Sequence, residues 1–205
     1  MEWEKQNMSS SWKSLVGNNV GTAALTTMLA LSLGLNVYLA GNGGLTPRPK
    51  PIVPLKPGAS LPASLNVEDA TGKPIRVNFA DDTRPTVLYV LSPQCGWCRR
   101  NEANMKALYA ADSDKYRFVG VSLVSQNLAK YVSDKREPFP VYLLSSKDAV
   151  QLHVAGTPET VVVGPDAKVI HAWEGVYIQQ NQAEVEKYFG VKLPGLPQTA
   201  QLDRH

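Results

Sequence analysis

A run of six apolar, β-rich residues at 86–91 (TVLYVL) leads through a Ser92-Pro93-Gln94 turn into Cys95-Gly96-Trp97-Cys98, and no other feature of the chain constrains its fold as tightly. Such an unbroken apolar run is what a central strand covered on both faces requires. After it, Met105, Leu108 and Tyr109 recur at helical spacing, so residues 98–111 are expected to form a helix directly behind the cysteines. Cys95 then follows the end of a buried strand, and Cys98 falls in the first turn of a helix, where residues three apart bring their sulfurs within bonding reach. The chain has only these two cysteines. They cannot be a disulfide framework for a small loop-rich fold, and alone they cannot complete a four-ligand zinc site.

The surrounding pattern is a layered one. Residues 65–79 carry two alternating runs around Asp69-Ala70-Thr71-Gly72 and read as a β-hairpin. Residues 116–124 read as a second buried strand, 126–135 as a helix, 141–144 as a short strand and 147–154 as a helix. Residues 160–163 and 169–173, joined by Gly164-Pro165-Asp166-Ala167-Lys168, make a closing hairpin, and 181–189 a last helix ending at Gly190. Strands alternating with helices imply an α/β sheet, and 205 residues with 43% apolar content suffice for one good-sized core. There are no internal repeats.

Outside this core lie appendages. No charge occurs from Ser14 to Pro47, and within that window residues 20–40 supply the about 20 residues that span a bilayer core. They read as a transmembrane anchor diluted by Thr22, Thr26, Thr27, Ser32 and Asn36. The alternatives are a cleaved signal or a helix buried in the fold. Against cleavage, the leader holds Glu2 and Glu4 beside Lys5 and Lys13, and no small-x-small site follows the apolar stretch. Residues 41–60 hold four Gly and five Pro, a composition for an extended spacer reaching on the order of 40 Å. The expected organisation is a short cytoplasmic segment at 1–19, the anchor at 20–40, the linker at 41–60, one domain at 61–192 and a flexible tail at 193–205. Basic residues flank the anchor on both sides, so charge alone leaves its orientation open. A lone dithiol tethered to a membrane makes most sense where disulfides persist, outside the cytoplasm.

Placement at a helix N-terminus gives the cysteines their chemistry. Unpaired N–H groups and the positive dipole end favour a thiolate on Cys95, with Arg99 and Arg100 adding positive charge nearby. Cys95 is assigned as the nucleophile and Cys98 as the resolving thiol. A zinc half-site completed by His153 and His171 is the competing reading, although both histidines lie in apolar-patterned elements without ligand-like spacing. The net charge of +3 is scattered and leaves no footprint for nucleic acid.

From about residue 59 to 190 the chain resembles the TlpA/ResA-like branch of the thioredoxin superfamily. The resemblance rests on the Gly72-Lys73-Pro74 turn, the strand leading into Cys95-Gly96-Trp97-Cys98, Gly156-Thr157-Pro158 and the hairpin turn at 164–168. It implies a thioredoxin-like fold, a central mixed sheet flanked by helices with an N-terminal hairpin extension. It also implies a cis Pro158 beside the cysteines and a Thr157 backbone that pairs with an extended substrate. Trp97 would stand at the rim as a flat apolar contact for that substrate, or pack against its own loop. Three positions depart from related patterns. Gln94 and Tyr89 stand where thioredoxins carry a Trp and a buried Asp, and Asn101 where TlpA/ResA-like reductases commonly carry a Glu. Glu102 is the neighbouring carboxylate, about 100° further round the helix.

The function this implies is reduction of disulfides in extracytoplasmic proteins of a bacterial inner membrane, with electrons from a membrane donor and no cofactor beyond the redox-active cysteine pair. The alternatives are a disulfide oxidase or isomerase, a binding or scaffold module of an envelope assembly, and, more remotely, a peroxidase.

Overall fold

Helix α1 (Trp3–Gly41) lies in the N-terminal unit of the chain, Met1–Pro51; the second unit is Ile52–His205. The computed structural model describes residues 3–41 (side chains from residue 21), 55–134, 136–154 and 156–197. The membrane-span candidate within α1 is Gly21–Gly41, with a mean hydropathy of 1.6. At a rise of about 1.5 Å per residue its 21 residues match a hydrocarbon core of about 30 Å. Apolar residues such as Leu25, Met28 and Val37 stand exposed around it, as in a helix whose solvent is lipid. The polar residues that dilute it bond back to the helix itself. Thr26 and Thr27 donate their hydroxyls to the carbonyls of Thr22 and Ala23 at 3.0 and 2.7 Å, and the Asn36 amide to Ser32 at 2.8 Å. The helix continues N-terminally to Trp3, through much of the segment read as a separate leader.

The second unit is built on one sheet. The expected hairpin forms as β1 (Ser64–Glu68) and β2 (Pro74–Asn78), turned at Gly72, whose φ of 85° only glycine adopts freely. Asp69 fixes that turn by accepting the Thr71 and Lys73 N–H groups at 2.8 and 3.0 Å. Then follow β3 (Thr86–Leu91), α2 (Gly96–Asp112), β4 (Arg117–Ser122), α3 (Leu128–Ser133) and β5 (Val141–Leu144). The chain continues with α4 (Ser146–Gln151), β6 (Glu159–Val163), β7 (Val169–Glu174) and α5 (Gln179–Phe189), which ends on the left-handed Gly190. The strand order is β2-β1-β5-β4-β3-β6-β7, with β3, β4 and β5 parallel and the remaining neighbours antiparallel. This is the mixed sheet expected.

Strand β3 is buried at all six positions and divides two cores. Val87, Tyr89 and Leu91 face Cys98, Met105, Leu108, Tyr131, Trp173 and Phe189. Leu88 and Val90 face the opposite layer with Val119, Val161, Leu144 and Leu65. The period-two alternation of a strand thus delivers Tyr89 to the same side as the cysteines.

Two expected boundaries shift. The linker does not extend to residue 60: Gly58 donates to Val169 and Leu61 to Ala167, both at 2.8 Å, and Val169 donates back to Ala59. These residues cover the otherwise open edge of β7. The tail is likewise docked at its start, because Leu193 is buried, its N–H donates to Glu186 at 3.0 Å, and Gly195 donates to Asn104 at 2.9 Å. The rest of the expected linker, 42–54, and of the tail, 198–205, lies outside the described residues.

Candidate active site

Helix α2 starts two residues earlier than its apolar spacing predicts, because Cys95 is its N-cap. With φ −73° and ψ 111° the residue is extended, and its sulfur accepts the Cys98 N–H at 3.0 Å. The preceding turn closes through the Cys95 N–H and the Ser92 carbonyl at 3.0 Å. Cys95 is disulfide-bonded to Cys98 across a Cα separation of 5.2 Å. Cys95 is half-buried, whereas Cys98 is fully buried against Tyr89 and Met105 in the core.

Opposite Cys95 lies the turn that opens β6. The Thr157–Pro158 peptide is cis, and the Thr157 carbonyl oxygen is 3.4 Å from Cys95 Sγ. The structure therefore brings Cys95, Cys98, Thr157 and Pro158 together. Trp97 is 50% exposed, with the Arg100 guanidinium 4.7 Å from its ring centre, so it stands at the rim under a cation and is not folded into its own loop. A groove of about 220 Å³ runs from Pro93 and Arg99 past Tyr131, with Lys130 and Arg136 on its wall. A second one, of about 290 Å³, follows Gly156, Thr157 and Pro158 to Glu174. Another concavity, of about 530 Å³, lies between the hairpin and β5 and is lined by residues such as Asn66, Arg76 and Ser145, with none of the cysteine-site residues among its walls.

The two histidines do not approach a ligand arrangement. His171 stacks on Trp173 with ring centres 4.0 Å apart, and His153 ends α4 in a left-handed conformation of φ 48°. Among the described residues no group of three His, Cys, Asp or Glu side chains is disposed to hold a metal ion.

Asn101 is buried one turn beyond Cys98 and accepts from the Asn104 amide at 3.0 Å and the Tyr177 N–H at 3.3 Å. Glu102 is tied up at the surface, 2.5 Å from Lys106 and 3.6 Å from Arg136. Sequence reasoning missed a different carboxyl. Glu137, from the segment between α3 and β5, is 7% exposed and accepts the Tyr131 hydroxyl at 2.8 Å. Burial, reinforced by the nearby Glu102 charge, pushes its pKa up to about 8 against the opposing pull of the Tyr131 hydrogen bond. The only sequence signal was an acidic residue next to the strongly apolar Pro138-Phe139-Pro140-Val141 stretch.

No family model and no curated protein matches this sequence. Solved structures do match in shape. A thiol:disulfide interchange protein from Bacteroides sp. aligns over 67% of this chain and 92% of its own, with 20% identity and a TM-score of 0.52. A putative thiol:disulfide interchange protein DsbE from Chlorobium tepidum aligns over 66% and 95%, with 20% identity and a TM-score of 0.54. The peroxidoxin BcpB from Mycobacterium tuberculosis aligns over 66% and 95%, with 22% identity and a TM-score of 0.52. Identities this low speak to architecture, and the second unit of the chain accordingly has the thioredoxin-like fold.

Proposed function

We propose that this chain is a thiol–disulfide oxidoreductase, anchored in a bacterial inner membrane by α1, that reduces disulfides of extracytoplasmic envelope proteins through Cys95 and Cys98. The observation that carries this reading is the asymmetry of the pair: one sulfur is accessible at a helix N-terminus, and its partner is buried directly behind it. In the dithiol form a thiolate on Cys95 faces the Cys98 N–H and the positive end of α2, which favour it over the thiol.

Attack of that thiolate on a substrate disulfide forms a Cys95–substrate bond and releases one substrate thiolate. Cys98 then attacks Cys95 Sγ, closing the intramolecular disulfide and releasing the second substrate sulfur. Two electrons pass from the dithiol to the substrate, and a membrane-bound dithiol donor returns them. The Thr157 backbone, adjacent to Cys95, suits an extended substrate segment, and Trp97 offers that segment an apolar face. The extracytoplasmic side, with residues 1–19 in the cytoplasm, follows from where protein disulfides persist.

The test is trapping. The full-length Cys98→Ser protein in a membrane extract should accumulate substrate adducts cleaved by dithiothreitol, and Cys95→Ser should accumulate none. Absence of adducts with Cys98→Ser would refute the proposal.

A further inference from the structure

The reaction above needs an acceptor for the Cys98 proton, and neither Asn101 nor the surface-paired Glu102 offers one. Glu137 does. Cys98, Asn101 and Met105 form a buried stripe on α2, and Tyr89 of β3 shares the core with Cys98 and Tyr131. Tyr131 binds one oxygen of Glu137; the other, Oε2, is buried without a partner, as are the Tyr89 hydroxyl and the Asn101 amide nitrogen. Asn101 faces the Tyr89 hydroxyl, but not within hydrogen-bonding geometry. Cys98 therefore shares its core layer with a seam of buried polar groups that ends at a carboxyl.

Burial without a partner favours the neutral acid over the carboxylate. A glutamine would accept from Tyr131 equally well, so what the acid adds is a proton that can come and go. The groups that face it are Tyr131 from α3, Glu102 and Lys106 from α2, Tyr89 from β3 and Tyr177 beyond β7. Arg136, its chain neighbour, is turned to Glu102 and Asp134.

We propose that Glu137 exchanges the Cys98 proton through the seam lined by Tyr89 and Asn101. As the Cys98 S–H bond breaks, the proton passes to Glu137 and the sulfur electron pair forms the Cys98–Cys95 bond. The bond from Cys95 to substrate breaks, and its electrons leave on the substrate thiolate. When the disulfide is reduced again, Cys98 departs as thiolate and Glu137 returns the proton. A carboxyl titrating near 8 is close to an ordinary thiol, so transfer in either direction is nearly balanced.

This inference rests on the dithiol reading, and one experiment separates the two. The reduced full-length protein in detergent is mixed with 5,5′-dithiobis(2-nitrobenzoate), which releases one coloured thiolate when Cys95 attacks and a second when Cys98 closes the disulfide. The second phase in the native protein should accelerate with a midpoint near pH 8. In Glu137→Gln it should slow at pH 9, above that midpoint, toward the ~100-fold typical of a lost general base, with the first phase unchanged. In Tyr131→Phe the midpoint should move to higher pH, because the lost hydrogen bond favoured the carboxylate.

A Glu137→Gln second phase that matches the native rate and pH profile would overturn the inference while leaving the dithiol reading intact. Release of no second thiolate by the native protein would overturn both. Should Glu137→Gln not fold, carboxyl-labelled native protein serves: the Glu137 titration must differ between disulfide and dithiol forms, and identical midpoints refute the coupling.

Discussion

Glu137 ties the stability of the domain to pH, with a sign opposite to that of most carboxylates. In the unfolded chain its pKa is that of an ordinary glutamate, 4.5, and in the folded state burial lifts it to about 8. Between those values the folded protein holds a proton that the unfolded chain has released. The stability associated with this group is therefore fully present below pH 4.5 and is lost as pH rises through 8. At about 1.36 kcal/mol per unit, the ionised form costs on the order of 5 kcal/mol, a large fraction of a typical domain's stability. Three carboxyls move the other way: hydrogen bonding to Arg84 holds Asp82 at about 2, and Asp69 and Glu186 are also lowered, so they titrate below this window. Urea unfolding of the oxidised full-length protein, followed by tryptophan fluorescence at pH 5, 7 and 9, measures the effect. The native protein should lose several kcal/mol from pH 5 to 9, Glu137→Gln should lose little, and the two should cross so that the variant is the more stable at pH 9. Parallel curves for the two proteins across this range would refute the assignment of Glu137 as a buried titrating acid.

Other consequences are independent of that group. A Cβ at Gly120 would lie 2.8 Å from Val141 Cγ2 and 3.3 Å from the Phe139 ring, so Gly120→Ala should destabilise by about 1–3 kcal/mol, as overpacked cores do. Adding Val141→Ala should recover part of that loss, and strict additivity in urea titrations would argue against the contact. Trp97→Ala, at an exposed rim position, should change stability by less than about 0.5 kcal/mol. Its rate with a protein disulfide should nevertheless fall more than its rate with oxidised glutathione, and an equal change for both would remove Trp97 from substrate contact.

The elements nearest the cysteines were legible because local pattern and tertiary role coincide there. Strand β3 reads directly from 86–91, since a run buried on both faces has no polar residue to blur its ends. Strand β5 matches 141–144, flanked by Pro140 and Ser145. The start of α2 was misread by two residues because its cap is a cysteine sulfur, and cysteine is not among the usual capping residues. Helix α3 is shorter than 126–135 suggests, since Asn127 adopts a left-handed conformation just before it. The docking of residues 58–61 against β7 depends on an edge more than 100 residues further on, which proline and glycine content does not report. Glu137 was illegible for the same reason. Its setting is assembled from α2, α3 and β3, while its neighbours in sequence, Arg136 and Pro138, suggest only a solvated loop.

The central claim is that Cys95 and Cys98 form a reversible, reducing couple, and the equilibrium reduction potential of the full-length protein in detergent tests it most directly. Titration against a glutathione or dithiothreitol redox buffer, with zinc removed, should give a single two-electron transition at or below about −230 mV, in the range of reducing thioredoxin-like proteins. A potential of about −120 to −180 mV would contradict the reducing direction and make the protein an oxidant or isomerase. Failure of the two cysteines to interconvert at all would contradict the account itself.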